Sequence, residues 1–299
     1  MAETTISLSG VFPPIPTPFN TEGDVAPAAL AENLERWNEY DLAGYVVLGS
    51  NGEGVYLTDE EKVQVWKAAR QAIPPEKLLV AGTGCESTRQ TIELSSRAAD
   101  AGADVVLVLT PHYYGGKMTP DVLRHHFETV ADRVPVPVVL YNMPRFTHVD
   151  MDAETVVSIA QHPNIIGIKD SGGNVGKLAQ IVGALGDEFQ ALAGSASFFF
   201  PSLTVGATGA VMALANIAPQ ALIDLYQSFK RGDWDEAAAA QQRLVPVNTA
   251  VTARFGVAGL KAAMDLMGYY GGPVRSPLQP LDASQIEILK AILIRGKVL

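Results

Sequence analysis

A chain of 299 residues, 47% hydrophobic and 18% charged, has the composition of a folded protein with a large core, which excludes a disordered tail or linker as its main character. Its formal net charge of -10 excludes nucleic acid and an anionic membrane surface as principal partners, because both are bound through basic patches. The single cysteine, Cys85, has no partner for an internal disulfide, and the opening MAETTISLSG lacks the basic and apolar parts of a secretion signal, so the cytoplasm is the expected location.

Eight short apolar runs follow one another along the first two thirds: VFPPIPTPF (11–19), GYVVLG (44–49), KLLVAGT (77–83), ADVVLVLTP (103–111), VPVVLYN (136–142), IIGIKD (165–170), FQALAGS (189–195) and ATGAVMA (207–213). Their apolarity is continuous rather than alternating, which marks strands buried on both faces, as in parallel sheets. Helix signals lie between them: Thr58 and Glu61 have capping-box spacing, and Thr119 with Pro120 reads as an N-cap and first helical position. An α/β fold, a (β/α)8 TIM barrel, is predicted. A doubly wound open sheet also alternates strand with helix, but no G-x-G-x-x-G follows the first run, and eight units fit closure.

The charge-free stretch 189–223 is interrupted by Gly194, Pro201, Gly206, Gly209 and Asn216, so it reads as a buried strand–helix–strand passage rather than a membrane span. Beyond residue 214 the strand runs stop and four helical patterns follow, PQALIDLYQSFKRGDW, DEAAAAQQRLVPVNTAV, GLKAAMDLMGYYGG and DASQIEILKAILIR. The expected organisation is a catalytic barrel over 1–214 and C-terminal helices packed on it over 215–299, with no linker between them.

In a barrel, catalytic groups sit where strands end and the following loops begin. The polar residues there are GSNGEG after the second run, TPHYYGG after the fourth, YNMPR after the fifth, KDSGG after the sixth and GSAS after the seventh. Strand alternation puts Lys169 on the face of Ile165 and Gly167, opposite Ile166 and Ile168. If that face points inward, desolvation favours a neutral amine able to form a Schiff base with a ketone. A strand-end lysine can equally snorkel to solvent or pair with the next residue, Asp170. Tyr141 ends the preceding run and is a candidate proton carrier beside the amine, with Ser50 and Tyr113 as its relay; each tyrosine can also be a packed aromatic. Ser50, Asn51, Ser171, Gly194 and Val211 are the candidate substrate-binding residues. GSNGEG has no P-loop lysine or spacing but can cradle a carboxylate on backbone N–H groups, or be an ordinary turn. The histidines lack metal-ligand spacing, His125 and His126 being adjacent on a helix, and a surface or loop role is expected for all five.

The order GSNGE, TPHYY, YNMP, IKDSGG, GS and GATGAVMALAN resembles the dihydrodipicolinate synthase and N-acetylneuraminate lyase family of pyruvate-dependent class I aldolases, over essentially the whole chain. The resemblance implies a barrel with C-terminal helices, a homotetramer built as a dimer of dimers, a 2-oxo acid substrate (pyruvate), and no metal or organic cofactor. It places the Schiff-base lysine on Lys169, the strand-end tyrosine on Tyr141, the loop hydroxyl on Ser50, and the relay tyrosine supplied across the dimer on Tyr113. Synthases of the family carry an arginine after strand five where this chain has Phe146, with Arg145 one residue earlier; in an extended segment that shift turns the side chain the other way. GCEST, QHPNIIGIKDSGG, VTARFGVAGLKAAMD and GYYGGPVRSPLQPL look much like the 4-hydroxy-2-oxoglutarate aldolase branch. The activity implied is cleavage of that compound to pyruvate and glyoxylate. The alternatives are condensation of pyruvate with aspartate semialdehyde, another 2-oxo acid aldol reaction of the family, or a non-catalytic barrel that binds 2-oxo acids.

Overall fold

The structure, a computed structural model, describes residues 6–299; residues 1–5, half of the stretch read above for a secretion signal, lie outside the described residues. Parallel strands form one sheet: β1 (Gly10–Phe12), β2 (Pro14–Ile15), β3 (Gly44–Val47), β4 (Leu78–Gly82), β5 (Val105–Leu109), β6 (Val138–Asn142), β7 (Ile165–Asp170), β8 (Gln190–Ala193) and β9 (Gly209–Val211). β1 pairs with β9 and β2 with β3. Since β1 and β2 are halves of one run, the sheet closes on itself as a (β/α)8 barrel. The split falls at Pro13, which has no N–H for the ladder, although its carbonyl accepts from the N–H of Val46 at 3.0 Å. Pro16 and Pro18 end the run early, so the strand expected over 11–19 is shorter.

The strands bury both faces, as their composition predicts. Inside the barrel Phe12, Val46, Leu107, Val139, Leu192 and Val211 form one cluster; a second, larger cluster fills the space between the strands and the outer helices around Trp37, Trp66, Phe127 and Phe199. Each fully buried side chain of this size contributes about 1.5–3 kcal/mol relative to exposure.

The helix Asp59–Ala72 starts with the capping box read from sequence: the N–H of Glu61 donates to Thr58 Oγ1 at 3.2 Å and the N–H of Thr58 to Glu61 Oε2 at 2.8 Å. Thr119 caps Pro120–Ala131. On that helix His125 is exposed, but His126 is 4% exposed, its Nδ1 2.9 Å from Thr88 Oγ1, so the expected surface role fails for it. Burial pushes its imidazole down to about 4.

Between β6 and β7 the register slips, with Val138 opposite Ile165 and Val139 opposite Gly167. The extra residue, Ile166, packs against the inner cluster, while Ile165 joins Ile168 in the outer one. The expected alternation is therefore wrong at Ile165 and Ile166: a bulge reverses the early part of the strand and leaves its end in phase. After β9 come the helices Pro219–Arg231, Trp234–Thr249, Gly256–Leu266 and Ala283–Arg295. The second and third are joined by a π-helical turn, Ala250–Arg254, which period alone does not reveal. No helix among the described residues is long and apolar enough to cross a membrane.

Candidate active site

Lys169 and Tyr141 are register partners on β7 and β6. Both side chains enter the barrel mouth, with residue exposures of 3% and 4%. The ammonium nitrogen lies 3.8 Å from the centroid of the Tyr141 ring. Asp170 does not pair with it. That carboxylate takes Lys177 Nζ at 2.7 Å and Asn142 Nδ2 at 2.9 Å on the other side of the strand, and Lys169 makes no ion pair among the described residues. Neither alternative for a strand-end lysine, snorkelling or pairing with its neighbour, is realised.

Ser50 reaches the same point from the end of β3. Leu48 has φ 61°, a left-handed conformation that costs a non-glycine residue roughly 1–2 kcal/mol and breaks the strand sharply. The short turn Ser50–Gly52 follows, and Ser50 Oγ stands 3.1 Å from Tyr141 Oη, where either hydroxyl can donate. Burial alone raises the phenol of Tyr141. The positive charge of Lys169 and the polar groups of Ser50, Lys169 and Ser171 outweigh burial, and the net shift is downward. A phenol so placed can give and take a proton beside the amine.

These groups line a cavity of about 170 Å³, whose wall also includes Asn51, Ser171, Gly194 and Val211. At Gly194 any side chain would run into Ser171 Oγ and the carbonyl of Asp170, so the wall there is backbone by necessity. Tyr113 is the exception among the candidates. It lies outside this cavity, 77% exposed, its ring edge-on to Tyr114 at 5.0 Å. Its backbone is fixed by Glu86, whose carboxylate accepts from the N–H groups of His112 at 2.9 Å and Tyr113 at 2.8 Å. A second cavity of about 280 Å³ opens on the other side of Ser50 and Tyr141, walled in part by Cys85, Glu86, Gln90 and His112. Burial pushes the Cys85 thiol up.

The structure adds residues to the wall beyond the candidate site residues named from the sequence. Pro144–Thr147 is one helical turn, not an extended segment, so Arg145 and Phe146 both line the cavity. The Arg145 guanidinium donates to the carbonyl of Ala253 at 3.1 Å. Asn248 and Thr252 come from the C-terminal helices. Asn248 is 1% exposed; its Nδ2 donates to Ser195 Oγ at 2.9 Å and Ser197 Oγ at 2.8 Å, and its buried Oδ1 has no partner among the described residues. The signal for it was present as an amide inside an apolar helical stretch, VPVNTAV, where asparagine is a poor helix former.

A family model described as the dihydrodipicolinate synthetase family matches residues 7–295. An uncharacterized DapA-like lyase of Halobacterium salinarum is 37% identical over 96% of this chain and 94% of its own length. A 4-hydroxy-tetrahydrodipicolinate synthase of Methanoculleus marisnigri is 33% identical over 95% and 98%. Among solved structures, the dihydrodipicolinate synthase DapA-2 of Bacillus anthracis superposes with a TM-score of 0.93 at 28% identity, covering 97% of this chain and 99% of that one. A prophage protein of the same family from E. coli K12, solved with pyruvate, gives 0.92 at 32% identity, covering 98% and 99%. Barrel, buried lysine and matches over nearly the whole length agree: the chain belongs to the dihydrodipicolinate synthetase family and is a lysine Schiff-base lyase of the class I aldolase type.

Proposed function

We propose that the protein cleaves 4-hydroxy-2-oxoglutarate to pyruvate and glyoxylate, with Lys169 as the nucleophile. The observation that carries the reading is the buried amine of Lys169 over the Tyr141 ring, without an ion pair among the described residues, with Ser50 Oγ 3.1 Å from the phenol oxygen. Lys169 Nζ adds to the C2 carbonyl and water leaves, giving a protonated imine. Loss of the C4 hydroxyl proton lets the C3–C4 electron pair move into the imine, releasing glyoxylate and an enamine. Protonation at C3 and hydrolysis then return the amine and free pyruvate. Tyr141 carries these protons, with Ser50 and Tyr113 of a second copy as its relay, in a homotetramer whose site is shared across a dimer. Asn51, Ser171, Gly194 and Val211 shape the pocket. Residues 1–214 serve as the catalytic unit and 215–299 as its cover, and the single unpaired Cys85 suits the cytoplasm.

The position of Arg145 at the cavity wall supports a substrate with a second carboxylate. Phe146, standing where synthases of the family have arginine, departs from the synthase pattern, and Arg145 beside it is the group that would hold the second carboxylate of the five-carbon diacid. Synthase chemistry is the second reading, supported by the names of several relatives. The test is a panel of 2-oxo acids and aldehydes with products identified by mass. We expect kcat/KM for 4-hydroxy-2-oxoglutarate cleavage at least roughly tenfold above that for aspartate semialdehyde condensation, a difference of about 1.4 kcal/mol. Arg145→Ala should raise KM for the diacid while leaving pyruvate trapping intact. A better rate with aspartate semialdehyde would make the protein a synthase.

A further inference from the structure

One residue beyond Tyr141 and Lys169, β6 and β7 form a second register pair, Asn142 and Asp170, whose side chains turn to the outer face. They belong to a closed ring of four side chains. Asn142 Nδ2 donates to Asp150 Oδ1 at 2.7 Å and to Asp170 Oδ2 at 2.9 Å. Lys177 Nζ, from the first turn of the helix Val175–Leu185, binds the same two oxygens at 2.7 Å each. The remaining valences are filled by backbone: Met151 O accepts from Lys177 at 3.1 Å, Met151 N donates to Asn142 Oδ1 at 3.0 Å, and Gly172 N donates to Asp170 Oδ1 at 2.8 Å. Asn142, Asp170 and Lys177 are 0%, 4% and 6% exposed, while the Asp150 side chain is 56% exposed.

Burying such a ring is expensive in desolvation, and apolar residues of similar volume would hold two strand ends at least as well. What apolar residues would not do is neutralise the carboxylate next to Lys169. Left unpaired, Asp170 would favour the ammonium form of Lys169 and so oppose its attack on a carbonyl. We propose that Lys177 and Asp170 are positioning residues: the ring clamps the ends of β6 and β7 and commits the Asp170 carboxylate outward, so that the amine of Lys169 stays free over Tyr141. The groups around Lys169 are consistent with this division. β6 presents the Tyr141 phenol, β8 presents uncharged Leu192 as register partner, and Arg145 stands in the wall of the same cavity. Asp170 follows Lys169 on its own strand, with Lys177 and Asp150 behind it. Ion pairing with both carboxylates outweighs burial and holds the Lys177 ammonium above its ordinary value, so it remains a cation across the working range.

The inference rests on Lys169 being the nucleophile, and the experiment separates the two claims. The pH dependence of pyruvate trapping by cyanoborohydride is measured by mass for the wild type, Lys177→Met, Lys177→Arg and Asp170→Asn. Removing the cation should move the midpoint of imine formation up, and removing the carboxylate should move it down. Lys177→Arg should restore the wild-type midpoint. Should Lys177→Met not fold, the isosteric Asp170→Asn carries the test alone. Midpoints that do not move, or that move in the same direction in both charge-removing variants, overturn the ring's role while labelled wild type leaves the nucleophile standing. A wild type that takes no label at Lys169 overturns both.

Discussion

Tyr141 is held between an amine and a hydroxyl, and its phenol is lowered because those neighbours outweigh its burial. Tyr141→Phe keeps the ring that lies under Lys169 but removes the proton carrier. Its kcat should fall on the order of 10²-fold or more, the usual worth of general acid–base catalysis, while pyruvate trapping at Lys169 persists. Steady-state rates and trapping measured on the same preparation decide it, and wild-type turnover would reduce Tyr141 to a packing role. The sequence shows these residues because barrel chemistry collects at strand ends, and Lys169, Tyr141 and Ser50 each end an apolar run. Asn248 and Thr252 were hidden for a physical reason: they reach the cavity from helices far along the chain, so no strand boundary marks them, whereas Arg145 was visible at the end of the fifth run and only its direction, set by a helical turn, was not.

At the scale of elements, period and capping chemistry foretold where helices begin, as at Thr58 and Thr119, because the caps are local. The bulge at Ile166 and the π-helical turn at 250–254 were not legible, since both answer to packing between distant segments. The helix Pro120–Ala131 carries a consequence for stability through His126. Its imidazole is lowered from 6.5 to about 4, desolvation being the main cause, so the folded state favours the neutral form. The stabilisation that goes with a depressed histidine is complete above the unfolded value near 6.5 and is lost as pH falls toward 4. The loss at pH 4 should be about 3 kcal/mol. Denaturant unfolding at pH 7 and pH 4.5 should show a smaller acid loss in His126→Gln than in the wild type. Equal losses would mean that other groups carry the acid sensitivity.

For the whole molecule, the proposed assembly turns on Tyr113, whose exposed ring stands outside the cavity of its own chain on a loop that Glu86 holds in place. If the relay is completed across a dimer, mixing inactive Lys169→Ala with inactive Tyr113→Phe subunits should restore part of the activity, since some sites then receive both intact residues. Demonstrated subunit exchange with no recovery would place the whole relay within one chain. The acidic surface and closed barrel were readable from composition and from eight apolar runs, whereas a shared site is a property of two copies and came only through the family resemblance. All of this chemistry depends on one bond, between Lys169 Nζ and the carbonyl carbon of a 2-oxo acid. Incubation with pyruvate and borohydride, followed by peptide mass mapping, tests it most directly. The account predicts one reduced pyruvyl group, on Lys169, with loss of activity and no label in Lys169→Ala; undiminished labelling of that variant would contradict it.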